Sequence, residues 1–269
     1  MLFRSAEAPG AGWWPLAMAR ELDDAILLLR FNEPEIGTWV LRSQGDPEAV
    51  AAVDRTLLSL ADHWLVREVT LYLKRTLKRL ELSSRSLIAL VEPGGCFAGA
   101  LLDLALACDR QYMLDGPPPD DETSELRASL TLSESNLGPL PMANGLTRLA
   151  TRFGPDEEHL ARLAKEVGRQ LAAAEALELG LVTATPDDLD WPDEIRIVVE
   201  ERTALSPDAL TAMEANLRFA GPETLQTKVF GRLTAWQNWV FTRPNASGER
   251  GALRRYGTGQ RAEFDHRRV

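Results

Sequence analysis

The segment Ser86 to Asp109, SLIALVEPGGCFAGALLDLALACD, constrains this chain more than any other. Ser86–Val91 carries no charge and is rich in branched aliphatic side chains, the pattern of a compact buried strand. Small residues follow in PGGCFAG, and then an apolar run, ALLDLALACD, of helical character. A strand that passes through glycines into a helix lets the backbone come close to a ligand. It also gathers free N–H groups and the positive helix end at one point. An oxygen that gains negative charge during a reaction, such as that of a thioester enolate, suits such donors. Turns of this kind are common, so the segment locates a candidate site without naming its chemistry.

The remaining pattern alternates strands and helices before an all-helical finish. Residues 1–20 hold Pro, Gly and Ala with no sustained period and read as a linker. Ala25–Phe31 and Gly37–Arg42 read as short strands around an Asn-Glu-Pro-Glu turn. Pro47 to Asp62 has helical spacing, with Asp46 placed to cap it and Pro47 suited to the first helical position. A second helix over Leu65 to Leu82 turns Val69, Tyr72, Leu73, Leu77 and Leu80 inward and Arg67, Lys74, Arg75, Lys78 and Arg79 elsewhere. That basic stripe reads as a solvated face, with contact to a ligand phosphate as the alternative.

Gln111–Leu114 and Ser129–Leu132 read as strands on either side of an acidic loop, DGPPPDDETSE, expected to be exposed and mobile. Helices are predicted over Ala143–Phe153, Glu157–Leu171 and Ala174–Glu178, then a short strand near Leu181–Thr185. Three more helices, Asp193–Ala204, Pro207–Phe219 and Pro222–Phe241, lead to a Gly- and Arg-rich tail. The division is therefore a linker over 1–20, an α/β core over 21–205 and a helical region over 206–269.

The charge balance excludes some functions. A net charge of −10 across 269 residues does not fit a general nucleic-acid surface, although a few basic groups can still collect around a phosphate. Cys96 and Cys108 lie in apolar surroundings and read as ordinary buried thiols rather than a disulfide or a metal site. His63, His159 and His266 share no metal-ligand spacing. No apolar run approaches the ~20 residues of a membrane span, and the first stretch lacks the apolar core of a signal peptide. A cytoplasmic protein without membrane or nucleic-acid partners is expected.

Within Pro93–Asp109, the order of residues resembles the Gly-Gly-Gly-x-Glu-Leu-Ala-x-x-Cys-Asp signature of the crotonase (enoyl-CoA hydratase/isomerase) superfamily. Gly99, Ala100 and Leu101 stand at the glycine positions, and Leu104, Ala105, Cys108 and Asp109 match directly. Further on, LSESNLGPLPMANGLTRL resembles the family's Pro-Glu-x-x-x-Gly-x-x-Pro-x-x-Gly-x-x-Arg-Leu segment, and AAAEALELGLVTA its Ala-x-x-Ala-x-x-x-Gly-Leu-Val segment. The resemblance implies a crotonase-like spiral of ββα units with a helical carboxy-terminal region. It places Asp103 and Glu134 at the two catalytic carboxylates and the Ala100 N–H at one oxyanion donor. Phe97 and Gly99 then fall in the substrate-binding turn.

Longer stretches, among them WWPL, SSRSLIALVEPG, SPDALTAMEANLRF and GRLTAWQNWVFTRPNA, resemble the second half of the ring-cleaving lyases of aerobic benzoyl-CoA degradation. That likeness implies two crotonase-like halves, of which this chain is the second. The complete enzyme would open 2,3-epoxybenzoyl-CoA with water, giving formate and 3,4-dehydroadipyl-CoA semialdehyde. It implies no metal or redox cofactor, coenzyme A being part of the substrate, and as partners the upstream half and further copies in a homo-oligomer.

The chain also departs from the hydratase pattern. The Ala-Gly-Ala-Asp loop that brings a second oxyanion donor is replaced by EAVAAVDRTLL, which reads as continuous helix. Loss of one such donor costs roughly 100- to 1,000-fold in turnover. Asp103 is one methylene shorter than glutamate, a loss of reach of roughly 1.5 Å. Glu134 reads first as a structural or relic residue in an ordinary turn beside Ser133 and Ser135, with an acid or base in an apolar pocket as the alternative. The resemblance thus implies a supporting, degenerate half. An active enoyl-CoA hydratase or isomerase and a non-catalytic interaction module whose pocket is filled by its own side chains remain open. Trp236, Trp239 and Phe241 read as a packing face, and Arg250, Arg254, Arg255 and Arg261 as surface cations or phosphate contacts.

Overall fold

The computed structural model describes residues 10–121 and 123–267. At its centre, β2 (Ser86–Val91) lies between β1 (Thr38–Arg42) and β3 (Arg110–Met113) in a parallel sheet. Val40 opposes Ile88 on one side, and Leu90 opposes Tyr112 on the other. Every residue of β2 is buried, as expected for a strand covered on both faces.

Helices cover this sheet. The first, α1 (Trp14–Phe31), occupies both the end of the predicted linker and the predicted strand Ala25–Phe31. The helical period wins there: Ala19, Asp23 and Ile26 are buried together against the third helix. The short run AILLLRF is strand-like only out of context, the ambiguity inherent in brief apolar runs. Residues 1–9 of the predicted linker lie outside the described residues. Helix α2 (Pro47–Ser59) starts as predicted, with Asp46 accepting from the Glu48 N–H at 2.9 Å. Helix α3 (Trp64–Glu81) buries Val69, Leu73, Leu77 and Leu80, leaves Tyr72 half-buried, and is capped by the His63 ring. Arg79 leaves the basic stripe to pair with buried Asp23 of α1, which also accepts from the Tyr72 hydroxyl.

After β2, a glycine turn leads into α4 (Gly99–Leu106), the helix that positions the site. Beyond β3, β4 (Leu130–Thr131) precedes a 3₁₀ turn, Glu134–Leu137, and α5 (Arg148–Phe153). Residues 143–147 form turns rather than the predicted start of a helix, with Thr147 capping α5 through the Ala150 N–H. Helix α6 (Glu157–Lys165) is shorter than predicted; Gln170–Leu171 forms β5, antiparallel to β4. Gly168, at φ +85°, turns the chain between the two, which a continuing helix would not permit. Helix α7 (Ala173–Glu178) follows. In place of the strand near Leu181–Thr185, a single parallel bridge joins Ala184 to Tyr112.

The chain ends in α8 (Trp191–Thr203), α9 (Pro207–Leu217), a π-helical stretch at Gln226–Leu233, α10 (Thr234–Phe241), α11 (Pro244–Ser247) and α12 (Ala252–Arg255). Helix α9 returns to the core: Glu214 accepts from the Ser86 hydroxyl at 3.1 Å, and Arg218 binds both oxygens of Asp109. Trp236 and Trp239 meet edge to face at 5.4 Å, with Arg243 over Trp239. In the tail, Arg250 and Arg255 pair with Glu263. Cys96 and Cys108 are free and buried, and burial raises both thiol pKa values. Among the described residues, no helix is long and apolar enough to cross a membrane.

Candidate functional site

The helical spacing of α2 puts Val50, Ala51, Asp54 and Leu57 on its buried face, aimed at the start of α4. Asp54 is thus a carboxylate in an otherwise apolar stripe, 2% exposed. Its Oδ2 accepts from the Ala100 N–H at 2.7 Å, from the Ser135 hydroxyl at 2.7 Å and from the Ser133 hydroxyl at 3.2 Å. The two serine hydroxyls lie 2.6 Å apart. Burial pushes the Asp54 carboxyl above its ordinary pKa, while Ser135, the Ala100 N–H and Ser133 favour its charged form.

The backbone around this oxygen is held from two directions. Gly99 sits at φ +48°, and a Cβ there would come within 1.8 Å of Asp54 Oδ2. Glycine is required both by the left-handed backbone and by the carboxylate against it. Ser133 caps the 3₁₀ turn, Asn136 accepts from the Ser133 N–H at 2.9 Å, and the Asn136 amide donates to the Gly99 carbonyl at 2.8 Å. The turn that supplies the hydroxyls is thereby tied to the residue preceding the Ala100 donor.

One helical turn onward, Asp103 faces inward and is 1% exposed. Arg148, equally buried, reaches Asp103 at 3.4 Å, bonds Glu81 and donates to the Leu140 carbonyl at 2.8 Å. Burial raises Asp103 to about 7; Arg148 and Asn136 oppose this, and nearby Asp54 adds to it. Glu81 is also raised by burial, against the pull of Arg148. Two carboxyls therefore share one guanidinium in a closed interior.

Two cavities border Asp54. One, of about 400 Å³, lies among α2, α3, α4 and the 135–140 turn, and is lined by Leu57, Leu58, Leu71, Leu73, Ala100 and Ser135. The other, about 460 Å³, shares Asp54 and Leu58 with the first and is bordered by Arg55, Ser133, Glu134 and Val167.

The predicted site residues do not converge on one cavity. Ala100 lines the first, and Glu134 is exposed beside the second. Asp103 borders neither and is engaged by Arg148. Phe97 is buried in the core, its carbonyl accepting from the Thr131 N–H, and Gly99 packs on Asp54. Sequence reading passed over Asp54 and Asn136, took Ser135 only as turn chemistry, and matched Arg148 to the family segment without giving it a role in the site. Asp54 was visible as a charge within the predicted helix Pro47 to Asp62, but its partners Ala100 and Ser135 lie 46 and 81 residues away.

Chemically, the arrangement reverses the polarity of a thioester site. The N–H at the helix start, free in an oxyanion hole, here has an acidic acceptor, and the adjoining helix presents a carboxylate where a second donor would be needed.

This architecture is the crotonase fold. It matches an enoyl-CoA hydratase from Geobacillus kaustophilus with a TM-score of 0.68 and 19% identity, covering 93% of this chain and 87% of that one. An enoyl-CoA hydratase/isomerase from Cupriavidus metallidurans gives 0.65 and 22% identity, with 94% and 88% covered. No family model matches the sequence. A much nearer relative is benzoyl-CoA-dihydrodiol lyase of Aromatoleum evansii, 56% identical over 263 residues, which are 98% of this chain and 46% of that protein. The chain has the crotonase fold and is similar over almost its whole length to that lyase, spanning about half the length of this curated relative.

Proposed function

We propose that this chain is the carboxy-terminal, crotonase-like half of a benzoyl-CoA-dihydrodiol lyase, and that it supports the reaction rather than performing it. The complete enzyme in this reading opens 2,3-epoxybenzoyl-CoA with water to 3,4-dehydroadipyl-CoA semialdehyde and formate. It uses no metal or redox cofactor, and coenzyme A enters as part of the acyl-CoA thioester substrate. The partners are the upstream crotonase-like half and further copies of the chain, in the cytoplasm.

The observation that carries the supporting role is the Ala100 N–H bond to Asp54. An enolate oxygen brought to that donor would have to displace a carboxylate held by three hydrogen bonds, and would meet its negative charge. Asp103, held by Arg148, and Glu134, exposed beside another cavity, offer no paired acid and base across the first cavity. The 56% identity to the lyase over almost the whole chain supports the assignment of enzyme and half.

Release of semialdehyde from 2,3-epoxybenzoyl-CoA, measured with this chain alone and after mixing with the upstream half, tests the reading. No product from the chain alone and product from the mixture is the expected result. Turnover by the chain alone would overturn it, as would hydration of crotonyl-CoA that Glu134→Gln abolishes.

A further inference from the structure

A third cavity, of about 510 Å³, lies at the far end of α4 from Ala100, where that helix, the start of β3, α5, α8 and α9 meet. Five arginines border it: Arg110, Arg148, Arg152, Arg202 and Arg218. Two of these are neutralised within the fold. Arg148 pairs with Glu81 and Asp103, and Arg218 pairs with Asp109 and Glu214, the two carboxylates on the cavity border. Among the described residues, no carboxylate forms an ion pair with Arg110, Arg152 or Arg202.

Arg152 is held in place by neutral groups. It donates to the Gln111 side-chain carbonyl and, at 3.3 Å, to the Leu181 carbonyl. The Gln111 amide in turn donates to the Ala105 and Cys108 carbonyls at 3.0 and 2.8 Å. That bond pair covers the negative end of α4 and fixes the oxygen set against Arg152. Burial lowers the Arg152 pKa, as for a cation taken from water without a counter-charge. Burial raises the Cys108 thiol, and Arg218 and Arg152 both oppose that rise, so guanidinium groups of α9 and α5 act on one point of the border. Arg110 donates to the Tyr112 hydroxyl at 3.1 Å and feels the charges of Glu201 and Asp109. The Thr151 hydroxyl accepts from the Asn144 amide and keeps its own proton to donate. Leu106, Met142, Met213 and Leu217 supply apolar border.

We propose that this cavity binds a small organic phosphate ester, its dianionic head taken by Arg152, Arg202 and Arg110 and its apolar body by Met142, Met213 and Leu217. Guanidinium groups match phosphate oxygens with several donors each, and the head supplies the negative charge that the fold leaves out. A carboxylate brings less charge and fewer acceptor oxygens. The cavity is separated from Ala100 by the length of α4, so the proposal stands whatever this half contributes to ring opening.

Phenyl phosphate is the probe, with benzoate as the monoanion and benzyl alcohol as the neutral control. Each is titrated into the intact chain by calorimetry and followed by amide shifts. Phenyl phosphate is expected to move the signals of Cys108 and Thr151, with benzoate at least about tenfold weaker and benzyl alcohol weaker still. Arg152→Met and Arg202→Met should each lower the affinity for phenyl phosphate at least about tenfold, as loss of a charge-assisted hydrogen bond requires. Arg202 is half-buried, so its variant keeps the test in hand should Arg152→Met fail to fold. Arg196→Met removes the same charge from an exposed position of α8 and should leave the affinity unchanged. Displacement of phenyl phosphate by coenzyme A, but not by dephospho-coenzyme A, would identify the ester as the terminal phosphate of that molecule; its absence would identify a separate small molecule. No binding of phenyl phosphate, equal affinity for benzoate, or the same loss from Arg196→Met as from Arg202→Met would each overturn the proposal.

Discussion

The Ala100 N–H and the Asp54 carboxylate, 46 residues apart, meet at 2.7 Å and close the donor that this fold would otherwise offer to a ligand oxygen. A charge-assisted bond of this kind contributes more than a neutral one, and here it also satisfies a backbone donor at the start of a helix. One contact therefore stabilises the turn and changes what the site accepts.

Asp54→Ala leaves the Ala100 N–H and two serine hydroxyls without their acceptor. It should lower the unfolding free energy by about 1–3 kcal/mol in urea denaturation. A variant more stable than the parent would show that the buried charge is a net liability kept for another purpose.

Gly99→Ala forces a methyl group against the same oxygen in a left-handed backbone. A loss exceeding about 2 kcal/mol is expected from the clash and the strain together. Part of it should return when Asp54→Ala is added, because the two changes act on one contact. Purely additive losses would place the strain elsewhere.

Arg148→Met removes the cation shared by Glu81 and Asp103. Breaking a buried ion pair from one side costs about 3–5 kcal/mol, so this chain should be strongly destabilised. Adding Asp103→Asn and Glu81→Gln should recover a large part. Unchanged stability of the single variant would contradict the closed interior described for this cluster.

The raised carboxyl of Asp103 makes stability depend on pH with a definite sign. Its folded-state value of about 7 lies above the ordinary 3.8, so the folded chain keeps a proton that the unfolded chain releases. The associated stability is fully present below about pH 4 and is lost as pH rises through about 7. Urea denaturation at pH 5 and pH 8 should show a smaller loss in Asp103→Asn than in the parent. Glu214, also raised to about 7 by burial, contributes equally to both proteins and cancels in the comparison. Parallel pH profiles would contradict this assignment.

Much of the fold was readable because local signals agreed with the tertiary outcome. Ser86–Val91 is uncharged throughout and became the fully buried strand, and Asp46-Pro47 marks a helix start that the structure keeps. Ala25–Phe31 misled because seven mostly apolar residues fit either period until Ala19 and Asp23 are counted in the same stripe. The turn at Gly94–Gly99 was legible from its glycines, but its occupant was not. Asp54 satisfies a donor across the chain, and Arg148 gathers Glu81 and Asp103 from two different helices. Such pairings follow from packing, and no local spacing announces them.

The carbonyl ¹³C resonance of crotonyl-CoA labelled at its thioester carbon reports directly on whether a ligand oxygen reaches the Ala100 N–H. With the Asp54 carboxylate in place, no downfield displacement should occur when excess chain is added, whether or not the coenzyme portion binds. A downfield displacement, the sign of a polarised carbonyl in a working oxyanion hole, would contradict the central claim that this half is closed to thioester chemistry.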